Sequence, residues 1–243
     1  MKTVLNFILV FAMALPAFHA KAQTEITFPQ SCSIKGPKYG KDSVEGVKNL
    51  SLYRENYKQW RDNKFKGEAI NYTIGPWRYV FLNAPLASQN TYLDGIRIVD
   101  YLIDNATDET QKQLYIDTLM LVYDRNIEAF GCAKQYGEGY ILGRKGYDLY
   151  QYRPDQKELI YYTLQKSIKI QENESEAAVL SFFYKVTDEM VRAGKLDTSC
   201  IYENYDIAIT IAQNQISAFN KELAANPADS VELNKKIKDY SVA

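Results

Sequence analysis

The sequence has a single histidine, His19, and it lies within the first 22 of 243 residues. Beyond that point the chain cannot build a Ser-His-Asp or Cys-His catalytic pair, or a histidine-containing zinc site. Lysine-assisted and carboxylate-only mechanisms survive this exclusion. Cysteine is sparse as well: Cys32, Cys132 and Cys200, none in a CxxC motif. Three cysteines do not make a disulfide-stapled scaffold, and the sequence does not choose among the three single pairings. Excess charge of one sign is missing too, with 29 basic against 30 acidic residues and the basic ones scattered. That balance offers no electrostatic footprint for nucleic acid or an anionic membrane. No apolar run after residue 22 is long enough to span a bilayer, which takes about 20 residues.

The first 22 residues read as a secretory signal peptide. Lys2 provides the positive start, Val4 to Phe18 the apolar run, and Ala20-Lys21-Ala22 the small residues read by a signal peptidase. Cleavage is expected between Ala22 and Gln23, leaving 221 residues with 27 basic and 30 acidic side chains. The expected location is therefore periplasmic or extracellular, with no membrane segment after processing. All 20 tyrosines lie in the remaining chain. Each brings a large apolar body with a polar tip.

From residue 44 onward the hydrophobic period is helical. Ile116, Leu119, Met120, Tyr123, Ile127 and Phe130 form one stripe of an amphipathic helix, with Asp108 placed to cap its start. Val179, Phe182, Phe183, Val186 and Met190 form a second. No alternating run signals a strand. The expected fold is all-α, with antiparallel helix pairs at 44–62 with 66–83, 89–105 with 109–130, 138–152 with 155–171, and 175–193 with 198–224. Gly75-Pro76 is expected to interrupt its helix, because proline lacks the N–H donor. Pro154 is expected in the first turn of another. Residues 23–43, rich in proline and glycine, read as an extended or poorly ordered lead-in. Residues 227–243 read as a C-terminal helix that opens an incomplete repeat.

Repeated helix pairs of this size suggest an α-solenoid. Tyr57-Lys58-Gln59, Glu68-Ala69-Ile70, Tyr72, Trp77 and Leu82-Asn83-Ala84-Pro85 resemble a stretched tetratricopeptide repeat. The ending recurs loosely at Leu223-Ala224-Ala225-Asn226-Pro227, and Gly143 resembles the small residue at which paired helices approach. The chain over 44–226 resembles exported bacterial proteins with degenerate repeats of this TPR-like superfamily. Asp117-Thr118-Leu119-Met120 and Leu142-Gly143-Arg144-Lys145-Gly146 add to that likeness. It departs from the pattern in lacking a steady period of about 34 residues. The resemblance implies a superhelical scaffold that binds protein or peptide, chiefly through the first helix of each pair.

Candidate chemistry is thin. Asp117, Asp124 and Glu128 lie on the polar side of one helix, where a solvated face explains them better than a carboxylate pair of a glycosidase. Asp104, Asp108 and Glu109 suit a helix end better than calcium, since the EF-hand spacing is absent. The glycines from Gly137 to Gly146 match neither a phosphate loop nor GxGxxG, and fit a close-packed helix face. Tyr140, Tyr147, Tyr150 and Tyr152 are the candidates for stacking on a glycan, against inward packing as the alternative. The expectation is a non-catalytic protein- or peptide-binding scaffold of the bacterial cell envelope, without cofactor or metal. Glycan binding is the alternative, and a carboxylate-only glycan-cleaving enzyme stands behind it.

Overall fold

The computed structural model describes residues 26–242, so the expected signal segment and its cleavage point at Ala22 and Gln23 lie outside the described residues. Among those described the chain is helical and contains no strand. The helices are α1 (Ser43–Asp62), α2 (Ala69–Asn83), α3 (Asn90–Asp104), α4 (Glu109–Phe130), α5 (Glu138–Tyr152), α6 (Lys157–Gln171), α7 (Ala177–Arg192), α8 (Ser199–Ala225) and α9 (Ser230–Ser241). None of them is long and apolar enough to cross a membrane.

Local chemistry sets several of the boundaries. The Asp42 carboxylate accepts from the Glu45 N–H at 3.1 Å and opens α1. Asp108 does the same for α4, accepting from the Gln111 N–H at 2.8 Å. Pro154 stands ahead of α6 rather than in its first turn, since the helix starts only at Lys157. Gly75-Pro76 does not interrupt α2, which runs unbroken through Pro76. The proline leaves the Tyr72 carbonyl without its usual donor, and Asn56 Nδ2 of α1 approaches that oxygen at 3.4 Å. A neighbouring helix thus supplies what the proline removes.

Helices close in sequence pack together: α1 with α2, α3 with α4, α5 with α6, and α7 with α8. Successive pairs then join through α2 to α3, α4 to α5 and α6 to α7, and α9 lies on α8. Two further contacts skip a helix, α5 with α7 and α7 with α9. The α5–α6 approach depends on missing side chains. A Cβ on Gly146 would stand 2.4 Å from Leu164 Cδ2, and one on Gly143 would stand 2.9 Å from Ser167 Oγ. Close packing of α5, rather than a phosphate cradle, accounts for these glycines.

The core has two parts. Tyr53, Trp60, Trp77, Tyr92, Ile116, Leu119 and Ile127 belong to the first, formed by α1 to α5. Leu149, Leu164, Val179, Phe183 and Val186 belong to the second, formed by α5 to α8. Each such side chain contributes roughly 1.5–3 kcal/mol relative to exposure. Helix α5 spans both parts, because Ile141 and Leu142 enter the first and Leu149 the second. Within the second, buried Asn204 of α8 donates to Tyr161 Oη at 3.2 Å and to Thr187 Oγ1 at 3.0 Å, fixing α8 against α6 and α7.

Residues 26–42 are not a loose leader. The N–H groups of Cys32 and Ile34 donate to the Ile127 and Glu128 carbonyls at 3.1 and 3.0 Å. Ser31 Oγ donates to Glu138 Oε2 at 2.5 Å, and Lys166 Nζ lies 4.5 Å over the Phe28 ring. The segment is extended, as its glycines and prolines suggest, but it is pinned across the α4–α5 turn.

Candidate binding face

Polar and aromatic side chains link α1 to α3 and α5 to α7, and Asp100 of α3 lies within the field of Asp148 of α5. On α1, Tyr53 and Tyr57 are one turn apart. The Tyr53 hydroxyl donates to Asp94 of α3 at 3.4 Å. Burial pushes the Asp94 carboxyl up to about 6, opposed by hydrogen bonds from Tyr53 and Tyr57. Burial and the Asp94 charge together push the Tyr53 hydroxyl up to about 12. Arg54 and Arg61 lie close enough to temper the carboxylate.

Further along α3, Asp100 faces Asp148 of α5. Burial pushes Asp100 up to about 6, and repulsion from Asp148 adds to it, while Arg97 and Arg144 oppose the shift. Asp148 is raised as well, by its own burial. It is partly answered by Tyr123 of α4, whose hydroxyl donates to Asp148 at 2.5 Å. Burial and that carboxylate hold the Tyr123 hydroxyl well above its ordinary range. Tyr152 closes this group, pushed up to about 12 by burial and then by Asp100 and Asp148. No hydrogen bond to the Asp100 carboxylate is present among the described residues. It is a half-buried anion within the field of a second anion, offset by Arg97 and Arg144 but accepting no hydrogen bond from either.

The face continues on α7. Tyr147 and Tyr150 of α5 flank Phe182, at centroid distances of 5.0 and 4.9 Å. The Tyr150 hydroxyl donates to Glu189 at 2.7 Å, and Lys185 Nζ lies 4.8 Å over its ring. Phe182 and Arg144 then share a cleft of about 580 Å³ with Lys236, Asp239 and Tyr240 of α9. Tyr240 is anchored there through its hydroxyl, which donates to the Ser175 carbonyl at 2.7 Å.

The four candidate tyrosines thus do not form one stacking platform. Tyr147 and Tyr150 meet at Phe182, and Tyr152 turns toward the Asp100–Asp148 pair. Tyr140 sits a helical turn or more away from them, edge-on to Tyr136 at 4.9 Å. All four are half-buried.

The α4 carboxylates are differently employed. Asp124 pairs with buried Lys145 at 2.5 Å, and Asp117 with Arg153 at 2.7 Å. Asp108 caps α4 through its side chain. No group of three histidine, cysteine or acidic side chains able to hold a metal occurs among the described residues. Asp94, Asp100, Asp148 and the Tyr123 hydroxyl escape a reading of the sequence. Their one signal is position: Asp100 adjoins Val99 and Asp148 adjoins Tyr147, each beside its helix's apolar stripe. Comparison with family models, with curated proteins and with solved structures found no match.

Proposed function

We propose that the chain is an exported, non-catalytic scaffold of the cell envelope that holds an extended basic segment of a partner protein along this face. The observation that carries the reading is the Asp100–Asp148 pair, two half-buried carboxylates on α3 and α5, the first of which accepts no hydrogen bond among the described residues. A lysine or arginine side chain from a partner supplies the missing donors and cancels the repulsion between the two anions. Tyr147, Tyr152 and Phe182 offer rings on which such a side chain or its aliphatic stem packs. The helix order supports a TPR-like superhelix: α7 packs on both α5 and α6, and α9 on both α7 and α8. Arrays of that kind present one helix of each pair to a concave, ligand-binding side.

Titration of the processed protein with an array of unstructured basic, neutral and acidic peptides tests the proposal. Basic peptides are expected to bind, and Asp100→Asn with Asp148→Asn together to weaken them at least about tenfold, equivalent to about 1.4 kcal/mol. Binding is also expected to weaken below about pH 6, where Asp100 and Asp94 take up protons. Indifference of binding to the double substitution, or a preference for acidic peptides, overturns it.

The same pair favours a second reading, because two carboxylates beside Tyr147 and Tyr152 are also what a glycan-cleaving site uses. Release of reducing ends from a polysaccharide by the wild type, abolished by Asp100→Asn, would replace the scaffold reading with this one.

A further inference from the structure

We propose that Cys32 and Cys132 form a disulfide that ties the N-terminal segment to the turn between α4 and α5. The two are 100 residues apart in sequence and meet in space: the Cys132 N–H points at Cys32 Sγ at 2.9 Å. Three features bring them together. The Cys32 and Ile34 N–H groups bond to the end of α4, just before Cys132. Ser31 bonds to Glu138 at the start of α5, just after it. Cys32 itself holds a φ of +54°, a left-handed conformation that a side chain makes unfavourable. The flanking bonds hold this residue where its sulfur faces Cys132.

Cysteine chemistry then follows from access. Cys132 is exposed and Cys32 half-buried, so Cys132 is the thiol that an oxidant reaches. The oxidant is another disulfide, R–S–S–R, of a small molecule or an oxidase. The Cys132 thiolate attacks one of its sulfurs and expels R–SH after protonation, leaving a mixed disulfide. The Cys32 thiolate attacks Cys132 Sγ, expels the second R–SH, and the protein disulfide is formed. Two protein thiols are oxidised, one external disulfide is reduced to two thiols, and the two protons move with them. Cys200, near the start of α8, remains a thiol.

The three cysteines fall in different tryptic peptides, which makes the test direct. Cleavage after Lys35, Arg125, Lys134, Lys195 and Lys221 separates a peptide ending at Lys35, 126–134 and 196–221. The processed protein is equilibrated with oxidised glutathione, denatured, alkylated without reductant and digested. The expected result is one alkylated cysteine, Cys200, with the Lys35-ending peptide joined to 126–134 until reductant is added. Cys200→Ser is expected to keep the bridge, and reduction to lower the Tm of that variant by about 5–15 °C, as closing a loop of this length implies. Three alkylated cysteines after equilibration, or any bridge to Cys200, overturns the assignment. The peptide map needs no variant to fold, and its outcome does not depend on what the binding face holds.

Discussion

The two sides of α4 carry acidic groups in opposite circumstances. On one side Asp124 and Asp117 each meet a cation, Lys145 and Arg153. On the other, between α3 and α5, Asp100 feels the charge of Asp148, Tyr123 from α4 donates to Asp148, and Arg97 and Arg144 offset the two carboxylates without a hydrogen bond to either among the described residues. The first arrangement is internally balanced and leaves nothing for a ligand. The second leaves charge that the fold answers only in part, because burial outweighs Arg97, Arg144 and the Tyr123 hydroxyl. A carboxylate row is therefore informative through its partners, not its spacing.

The largest expected contrast lies in the sign of two amide substitutions. Lys145 is buried, with its side chain 10 % exposed, and Asp124 is the anion beside it. Asp124→Asn leaves a buried ammonium without its counter-charge, so a loss of about 1–3 kcal/mol is expected in urea unfolding, below the range for fully buried pairs because Asp124 keeps some solvent. Asp100→Asn removes an anion that the fold disfavours, so a gain of about 1 kcal/mol at pH 7.5 is expected, already discounted for solvent screening. A loss in both variants would erase the distinction between the two sides.

The pH dependence sharpens the same contrast. Asp100 and Asp94 have folded-state values of about 6, above the ordinary carboxylate value near 4. Between about pH 4 and 6 the folded chain holds protons that the unfolded chain has released. Their contribution therefore favours folding at the low end and is lost as pH rises through about 6. The stability gain of Asp100→Asn over wild type should accordingly fall from its value at pH 7.5 to about zero at pH 4. Paired unfolding curves at the two pH values measure it, and a gain that grows on acidification contradicts the assignment.

Tyr123→Phe probes the bridge between the two sides. The hydroxyl is buried and donates to Asp148, so its removal costs about 1–2 kcal/mol and leaves Asp148 with one donor fewer. Because that hydrogen bond lowers the Asp148 value, the variant should also bind a basic peptide more weakly at pH 6 than at pH 7.5, by a larger factor than wild type does.

What the sequence reveals and conceals divides along the same line. Helix α4 was legible from Ile116 to Phe130 because its stripe and its Asp108 cap are contained in one segment. So were the pairs α1 with α2 through α7 with α8, since short connections bring consecutive helices together. Pro76 misleads because the group that answers the Tyr72 carbonyl, Asn56, belongs to another helix. The Asp100–Asp148 pair and the Cys32–Cys132 contact are hidden for the same reason: each joins residues that no local period relates. The four tyrosines of α5 share a helix but part company once Phe182, Tyr136 and Asp100 surround them. Local order fixes which helices exist; which of their flanks meet depends on packing that only the assembled chain displays.

The smallest effect is expected at Asp117, and it is the control for the rest. Asp117 accepts from Arg153 at 2.7 Å, a close ion pair. Yet its side chain is 69 % exposed, so water solvates the carboxylate almost as well without the arginine. The Arg153 side chain is only 16 % exposed, but it also donates to Gln113, so with an exposed carboxylate the pair contributes about 0–1 kcal/mol. Asp117→Asn should therefore shift the urea midpoint little and leave peptide binding unchanged. If it instead destabilised as much as Asp124→Asn, the exposure of the carboxylate would not be what separates the two α4 pairs, and the ranking of the acidic groups by exposure would have to be abandoned.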